Sequence, residues 1–125
     1  MGIGQLPVFQ AGCMKVLEFN VESGAEAQII RISGEIDVYN SFEVKTAVED
    51  LLRAGKKQIA IDLSQVPYID SSGLGALITA QSRIDRDGGR FFLIRPSEQI
   101  RNVFTLTKMG GFFRIVSSAD EIGAG

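Results

Sequence analysis

The sequence has no histidine, a single cysteine, no run of basic residues and no long apolar stretch in its 125 residues. Without histidine the commonest general base is missing, so His-dependent triads and HExxH-type zinc sites are excluded. With Cys13 alone, neither an internal disulfide nor a thiolate zinc site can form, which fits a reducing, cytoplasmic setting. Lys56-Lys57 is the only notable basic pair, and the net charge is −2, so electrostatic capture of nucleic acid or of an anionic membrane is not expected. No stretch approaches the roughly 18 apolar residues that a membrane span requires.

What is present describes a folded domain. Hydrophobic residues at 45% and charged residues at 22% exclude a largely disordered chain, and the length suits one domain. Residues 1–13 read as an N-terminal extension. Gln10-Ala11-Gly12-Cys13 has the look of a lipoprotein signal end but lacks a basic and a continuous apolar region before it. Met1-Gly2 is no myristoylation site, because Leu6 stands where Ser or Thr is needed.

Regular patterning begins at Met14. Val16, Leu17 and Phe19 predict one strand and Gln28-Ile29-Ile30-Arg31-Ile32 a second, antiparallel to it, with a turn around Glu22-Ser23-Gly24. Gly34-Glu35-Ile36-Asp37 then leads out of the sheet. Asn40 with Glu43 predicts a helix start with a capping box. The helix that follows places Val44, Ala47, Val48, Leu51 and Leu52 on one face and stops at Gly55.

Gln58 to Leu63 is a buried parallel strand flanked by helices. A second helix carries Leu74, Leu77, Ile78 and Ile84 inward and closes at Asp87-Gly88-Gly89. Phe91 to Ile94 is a strand stopped by Pro96. A third helix runs from about Ser97 to near Gly110-Gly111, with Ile100, Val103 and Phe104 inward. Phe112 to Val116 is expected as the last strand, and Ser118 with Glu121 predicts a capped fourth helix. In each of Phe91-Phe92 and Phe112-Phe113, one ring is expected in the core. The sum is an α/β domain with a mixed sheet of about five strands packed against about four helices, spanning 14–122 and followed by a tail at 123–125.

Chemistry concentrates in Tyr68-Ile69-Asp70-Ser71-Ser72-Gly73-Leu74-Gly75, between a buried strand and a helix. The first helical N–H groups lack internal partners, and Asp or Ser side chains accept from them. Asp70 and Ser71 can thus simply cap the helix while Gly73 and Gly75 permit close packing. The same amides would hold a phosphate on a serine, which adds about −1.5 to −2 charge at pH 7. Spacing alone leaves both readings open.

Together with Gly34-Glu35-Ile36-Asp37 and Ile61-Asp62-Leu63-Ser64, this string resembles the STAS domain of bacterial anti-sigma factor antagonists. The resemblance implies a partner switch that binds no cofactor and performs no catalysis. The unphosphorylated protein would bind an anti-sigma factor that is also a GHKL-type, ATP-dependent serine kinase, freeing a sigma factor. That kinase would phosphorylate the serine after the motif's aspartate, here Ser71, and a serine phosphatase would reset it. Ser72 would shape the turn. Asp37 would lie near the phosphorylation site, and the loop from Asp37 through Ser41, with Asn40 in it, would join Asp70, Ser71, Ser72 and Gly73 in a docking surface. The family's usual form is a monomer, which the resemblance implies here as well.

Two other readings attach to the same residues. One is a constitutive STAS scaffold, in a stressosome-like or transport complex, that works by surface contact without phosphorylation. The other is a hydrolase using Ser71, which would need a lysine base and departs from the Gly-x-Ser-x-Gly elbow, since Ile69 occupies the first glycine's place. Tyr68 is expected as a half-buried strand residue, and Arg83 and Arg86 as members of a solvated helix face.

Overall fold

The computed structural model describes residues 17–24 and 26–123, so the expected extension at 1–13, with Cys13, and the tail's last two residues lie outside the described part. The chain builds β1 (Glu18–Ser23), β2 (Gln28–Ser33), α1 (Ser41–Arg53), β3 (Gln58–Gln65), α2 (Ser71–Arg86), β4 (Arg90–Ile94), α3 (Glu98–Thr107) and β5 (Arg114–Val116). The strands form one sheet in the order β1-β2-β3-β4-β5. β1 and β2 are antiparallel, and every later pairing is parallel. A helix carries the chain between each pair of successive parallel strands, because parallel neighbours need a long crossover.

The period-two alternation of the strands separates two cores. Ile30 and Ile32 of β2, Ile59, Ile61 and Leu63 of β3, and Phe91 and Leu93 of β4 face the helices. There they meet Val44 and Val48 of α1, Leu77, Ala80 and Ile84 of α2, and Ile100 and Phe104 of α3. The opposite face is apolar only where Ala27, Ile29, Ala60, Phe92 and Ile94 are covered by Ile122 and its neighbours. An ion pair of 2.6 Å from Arg83 Nη1 to Glu49 Oε2 ties α2 to α1, so Arg83 belongs to the helix interface rather than to a fully solvated face.

Several local expectations are corrected. There are three α-helices among the described residues, and the fourth expected one is a single 3-10 turn, Ala119–Glu121, whose Ser118 side chain makes no cap bond. α3 ends before Gly110-Gly111, because Lys108 takes the left-handed conformation at φ 61°. The last strand is shorter than Phe112 to Val116: Phe112 and Phe113 precede it. β1 runs through Ser23, and the hairpin turns only at Gly24, whose N–H donates to Ala27 C=O at 2.8 Å.

Gly55 does stop α1 as expected. It adopts φ 85°, and the Gly55 and Lys56 amides donate back to Leu52 and Leu51, the paired bonds of a Schellman ending. Phe91 and Phe92 are both buried, one on each side of the sheet, since successive strand residues point to opposite faces. Phe113 is buried against Phe104 with ring centroids 5.2 Å apart, whereas Phe112 is partly exposed.

Candidate functional site

Two loops at the carboxyl ends of β2 and β3 are joined by backbone. The Gly34 amide donates to Gln65 C=O at 3.2 Å, Ile36 N–H to Tyr68 C=O at 3.0 Å, and Asp70 N–H to Ile36 C=O at 3.2 Å. Ile36 and Ile69 form a parallel bridge beyond the sheet proper, and both are buried. Asp37 and Asp70, each one residue past that bridge, therefore stand on neighbouring strands of the same junction. Near the end of β3, Asp62 Oδ1 accepts from the Ser64 amide at 2.9 Å and the Ser64 hydroxyl at 2.7 Å, and Val66 N–H donates back to Leu63 C=O at 3.0 Å where the chain leaves the strand.

Asp70 is the N-cap of α2. Its backbone is extended, and its Oδ1 accepts from Gly73 N–H at 3.0 Å. Ser71 is the first helical residue and exposed, so it does not share the cap. Its hydroxyl makes no hydrogen bond among the described residues, and neither does that of the half-buried Ser72. The Ser71 and Ser72 amides precede the first intrahelical acceptor and point out of the helix start. The turn thus presents a free hydroxyl beside two outward amides and a carboxylate already committed to the helix.

Gly73 is buried against the bridge. A Cβ there would lie 2.5 Å from Ile69 Cγ1 and 2.8 Å from Ile36 Cγ2, so only glycine lets α2 start this close to the two loops. Gly75 has open space where its Cβ would be, and the expectation that it serves close packing is not met.

Asn40 holds the first loop. It is 3% exposed, its Oδ1 accepts from Asp37 N–H at 2.8 Å, and its Nδ2 donates to Glu35 C=O at 2.9 Å. Its side chain makes no bond to the helix start, so the expected capping box with Glu43 is not formed. The amide closes the preceding turn instead, where both its donor and its acceptor are satisfied. Asp37 Oδ1 accepts from Tyr39 N–H at 3.0 Å, an Asx turn that leaves its second oxygen available. Of the predicted site residues, Asp37, Asp70, Ser71 and Ser72 gather at one surface. Asn40 and Gly73 lie buried beneath it and can shape a docking surface only through the backbone they hold.

Sequence reading did not place the apolar residues around this junction. Val38, Tyr39 and Phe42 are 61%, 69% and 60% exposed; Tyr68, at 49%, is half-buried as expected but lies in the loop beyond β3 rather than in a strand. The signal for Phe42 was available, because it falls off the Val44–Val48 stripe of α1. Glu43, beside it, has its carboxyl raised above the ordinary glutamate value by burial. Among the described residues no group of three His, Cys, Asp or Glu could hold a metal ion, and no helix is long and apolar enough to cross a membrane.

Comparison with known proteins agrees with this geometry. The STAS domain family model matches residues 18–122. The anti-sigma-B factor antagonist of Staphylococcus aureus is 24% identical over 93 residues, covering 73% of this chain and 86% of the relative. A Thermotoga maritima structure, provisionally described as an anti-sigma factor antagonist, superposes with a TM-score of 0.76 at 29% identity, covering 82% of this chain and 89% of that one. The anti-sigma factor antagonist SpoIIAA shares the fold in its unphosphorylated form, with a TM-score of 0.65 at 24% identity over 83% of this chain and 92% of its own. Its phosphorylated form gives 0.64 at 23% identity, over 82% and 95%. With the matched model spanning the sheet, the helices and the Asp70–Gly73 turn, this chain belongs to the STAS domain family, among relatives that are anti-sigma factor antagonists.

Proposed function

We propose that this protein is an anti-sigma factor antagonist switched by phosphorylation of Ser71. Unphosphorylated, it binds an anti-sigma factor that is also a serine kinase and so frees a sigma factor; phosphorylated, it lets go until a serine phosphatase resets it. The observation that carries the reading is the exposed, unbonded Ser71 hydroxyl at the first position of α2. A kinase can reach it without unfolding anything, and the outward amides of the helix start offer the phosphate local partners. The existence of SpoIIAA in a phosphorylated form with this fold supports the same chemistry.

The switch is electrostatic and local. A phosphate adds about −1.5 to −2 charge at pH 7 next to Asp70 and Asp37. A partner whose surface matches the apolar, moderately acidic junction then meets like charge and a strongly hydrated group where it had dry contact. Asp70 keeps its oxygen on Gly73, so α2 remains capped in both states. The protein contributes no catalytic group; the kinase and phosphatase supply the reactions.

The test is a pull-down from the host with the wild type and Ser71→Asp, coupled to mass spectrometry after incubation with ATP and the retained partner. A kinase retained by the wild type, lost or weakened with Ser71→Asp, and a single phosphate on Ser71 are expected. Equal phosphorylation of Ser71→Ala would move the site elsewhere. A partner held equally by both proteins, with no phosphate transferred, would favour a constitutive scaffold.

A further inference from the structure

On the sheet face away from the helices, at the carboxyl ends of β2, β3 and β4, lies a pocket of about 470 Å³ that the switch reading does not use. Its volume falls in the range of about 300–1,000 Å³ typical of small-molecule sites. Ligands in open α/β sheets also favour the carboxyl ends of strands. Glu18, Asn20, Arg31, Asp62, Ser64 and Arg95 supply its chemistry.

The charges in this pocket are unevenly satisfied. Arg31 is held by Glu22 at 2.7 Å through Nε, and its Nη1 is a distant 3.5 Å from Asp62 Oδ2. Asp62 is buried, and both bonds from Ser64 go to its Oδ1. Its Oδ2 therefore has only that long contact, which is expensive for a carboxylate removed from water. Arg95 sits at φ 47°, a left-handed conformation that an L side chain seldom adopts, and its guanidinium makes no ion pair among the described residues. Glu18 makes none there either. Arg95 and Glu18 thus line the same space without an ion pair among the described residues, beside Arg31 and the loosely paired Asp62 Oδ2.

A simple anion would meet Glu18 and Asp62, and a simple cation would meet Arg31 and Arg95. We propose that this pocket binds a small zwitterion, of which a free α-amino acid is the simplest class. The ligand's carboxylate would pair with Arg95, and its ammonium would donate to Asp62 Oδ2 and Glu18. Asn20 and Ser64 would contact its polar side chain. Such charge-assisted pairs are worth more in a partly enclosed site than on an open surface. Because Ser71 is no part of the pocket lining, the proposal stands or falls independently of the switch.

The experiment is a ¹⁵N-resolved NMR titration of the full chain with each free L-amino acid in turn, with acetate and methylamine as half-ligand probes. At least one amino acid is expected to give saturable shifts centred on the Arg31, Ser64 and Arg95 amides. Arg95→Gly and Glu18→Gln should each weaken that binding by about tenfold or more. Both keep the fold, since glycine suits the left-handed position and Glu18 is exposed. The proposal is overturned if no amino acid gives saturable shifts, if both variants respond like the wild type, or if acetate or methylamine alone reproduces the shifts with equal affinity.

Discussion

Ile36 and Ile69 are partners in a parallel bridge that ties the loop after β2 to the turn before α2. Ile36 donates to Tyr68 C=O at 3.0 Å and accepts from Asp70 N–H at 3.2 Å, so one residue on the first loop is gripped from both sides by the second. The pairing brings Asp37 beside Asp70 and Ser71, although more than thirty residues separate them in the chain. It also makes the junction sensitive to changes at residues that touch no partner.

Asn40→Ala should loosen this junction. The substitution strands the Asp37 amide and the Glu35 carbonyl in a buried turn, and a loss of about 2 kcal/mol in urea unfolding is expected. Amide hydrogen exchange at Ile36 and Asp70 should accelerate more than exchange in β3. Uniform acceleration across the sheet would mean that Asn40 acts on global stability and not on this junction.

The two motif glycines should respond in opposite directions. Gly73→Ala drives a methyl group into Ile36 and Ile69, so a loss of about 1–3 kcal/mol is expected. Gly75→Ala meets open space inside the first turns of α2 and should stabilise by about 0.5–1 kcal/mol. Chemical denaturation of both variants checks the contrast, and a stabilised Gly73→Ala would show that the junction opens at little cost.

Glu43 makes stability depend on pH in a defined direction. Burial raises its folded value above the ordinary one, so between the two values the folded state holds more protons than the unfolded state. Its contribution to stability therefore falls as pH rises through that window. Glu43→Gln cannot ionise, and its stability relative to the wild type should increase across the same window and level off above it. Parallel melting curves at several pH values measure the difference; a relative stability that falls with rising pH would contradict the desolvation.

Phe112 and Phe113 touch edge-on at 5.0 Å, yet their truncations should differ widely. Phe113 fills the helix-side core next to Phe91 and Phe104, so Phe113→Ala should cost about 3–5 kcal/mol. Phe112 is 44% exposed, and Phe112→Ala should cost about 1 kcal/mol or less. Equal losses in thermal or urea unfolding would refute the assignment of one ring to the core.

The sheet and its order of elements were legible because periodicity and stop signals agreed. The β3 apolar run, the α1 stripe ending at Gly55 and the Gly88 turn each carry a local physical cause, and each appears where expected. Misreadings came from residues with two available partners. Asn40 has the composition of a helix cap, but its amide is better satisfied by the Asp37 and Glu35 backbone than by the helix start. Lys108 stops α3 without being a glycine, and no propensity scale points to it.

At the candidate site, the Asp70-Ser71-Ser72-Gly73 string by itself determined a capped helix start with a serine at its first turn, because that chemistry is local to consecutive residues. Cap and phosphate site were indistinguishable at that level, since both use the same unpaired amides. Only the tertiary structure divided the labour: Asp70 takes the cap, Ser71 is left exposed and unbonded, and Ile36 closes over Gly73. The nearness of Asp37, the buried role of Asn40 and the pairing of Arg31 with Asp62 are long-range contacts. They depend on the register between β2 and β3, which no residue specifies alone.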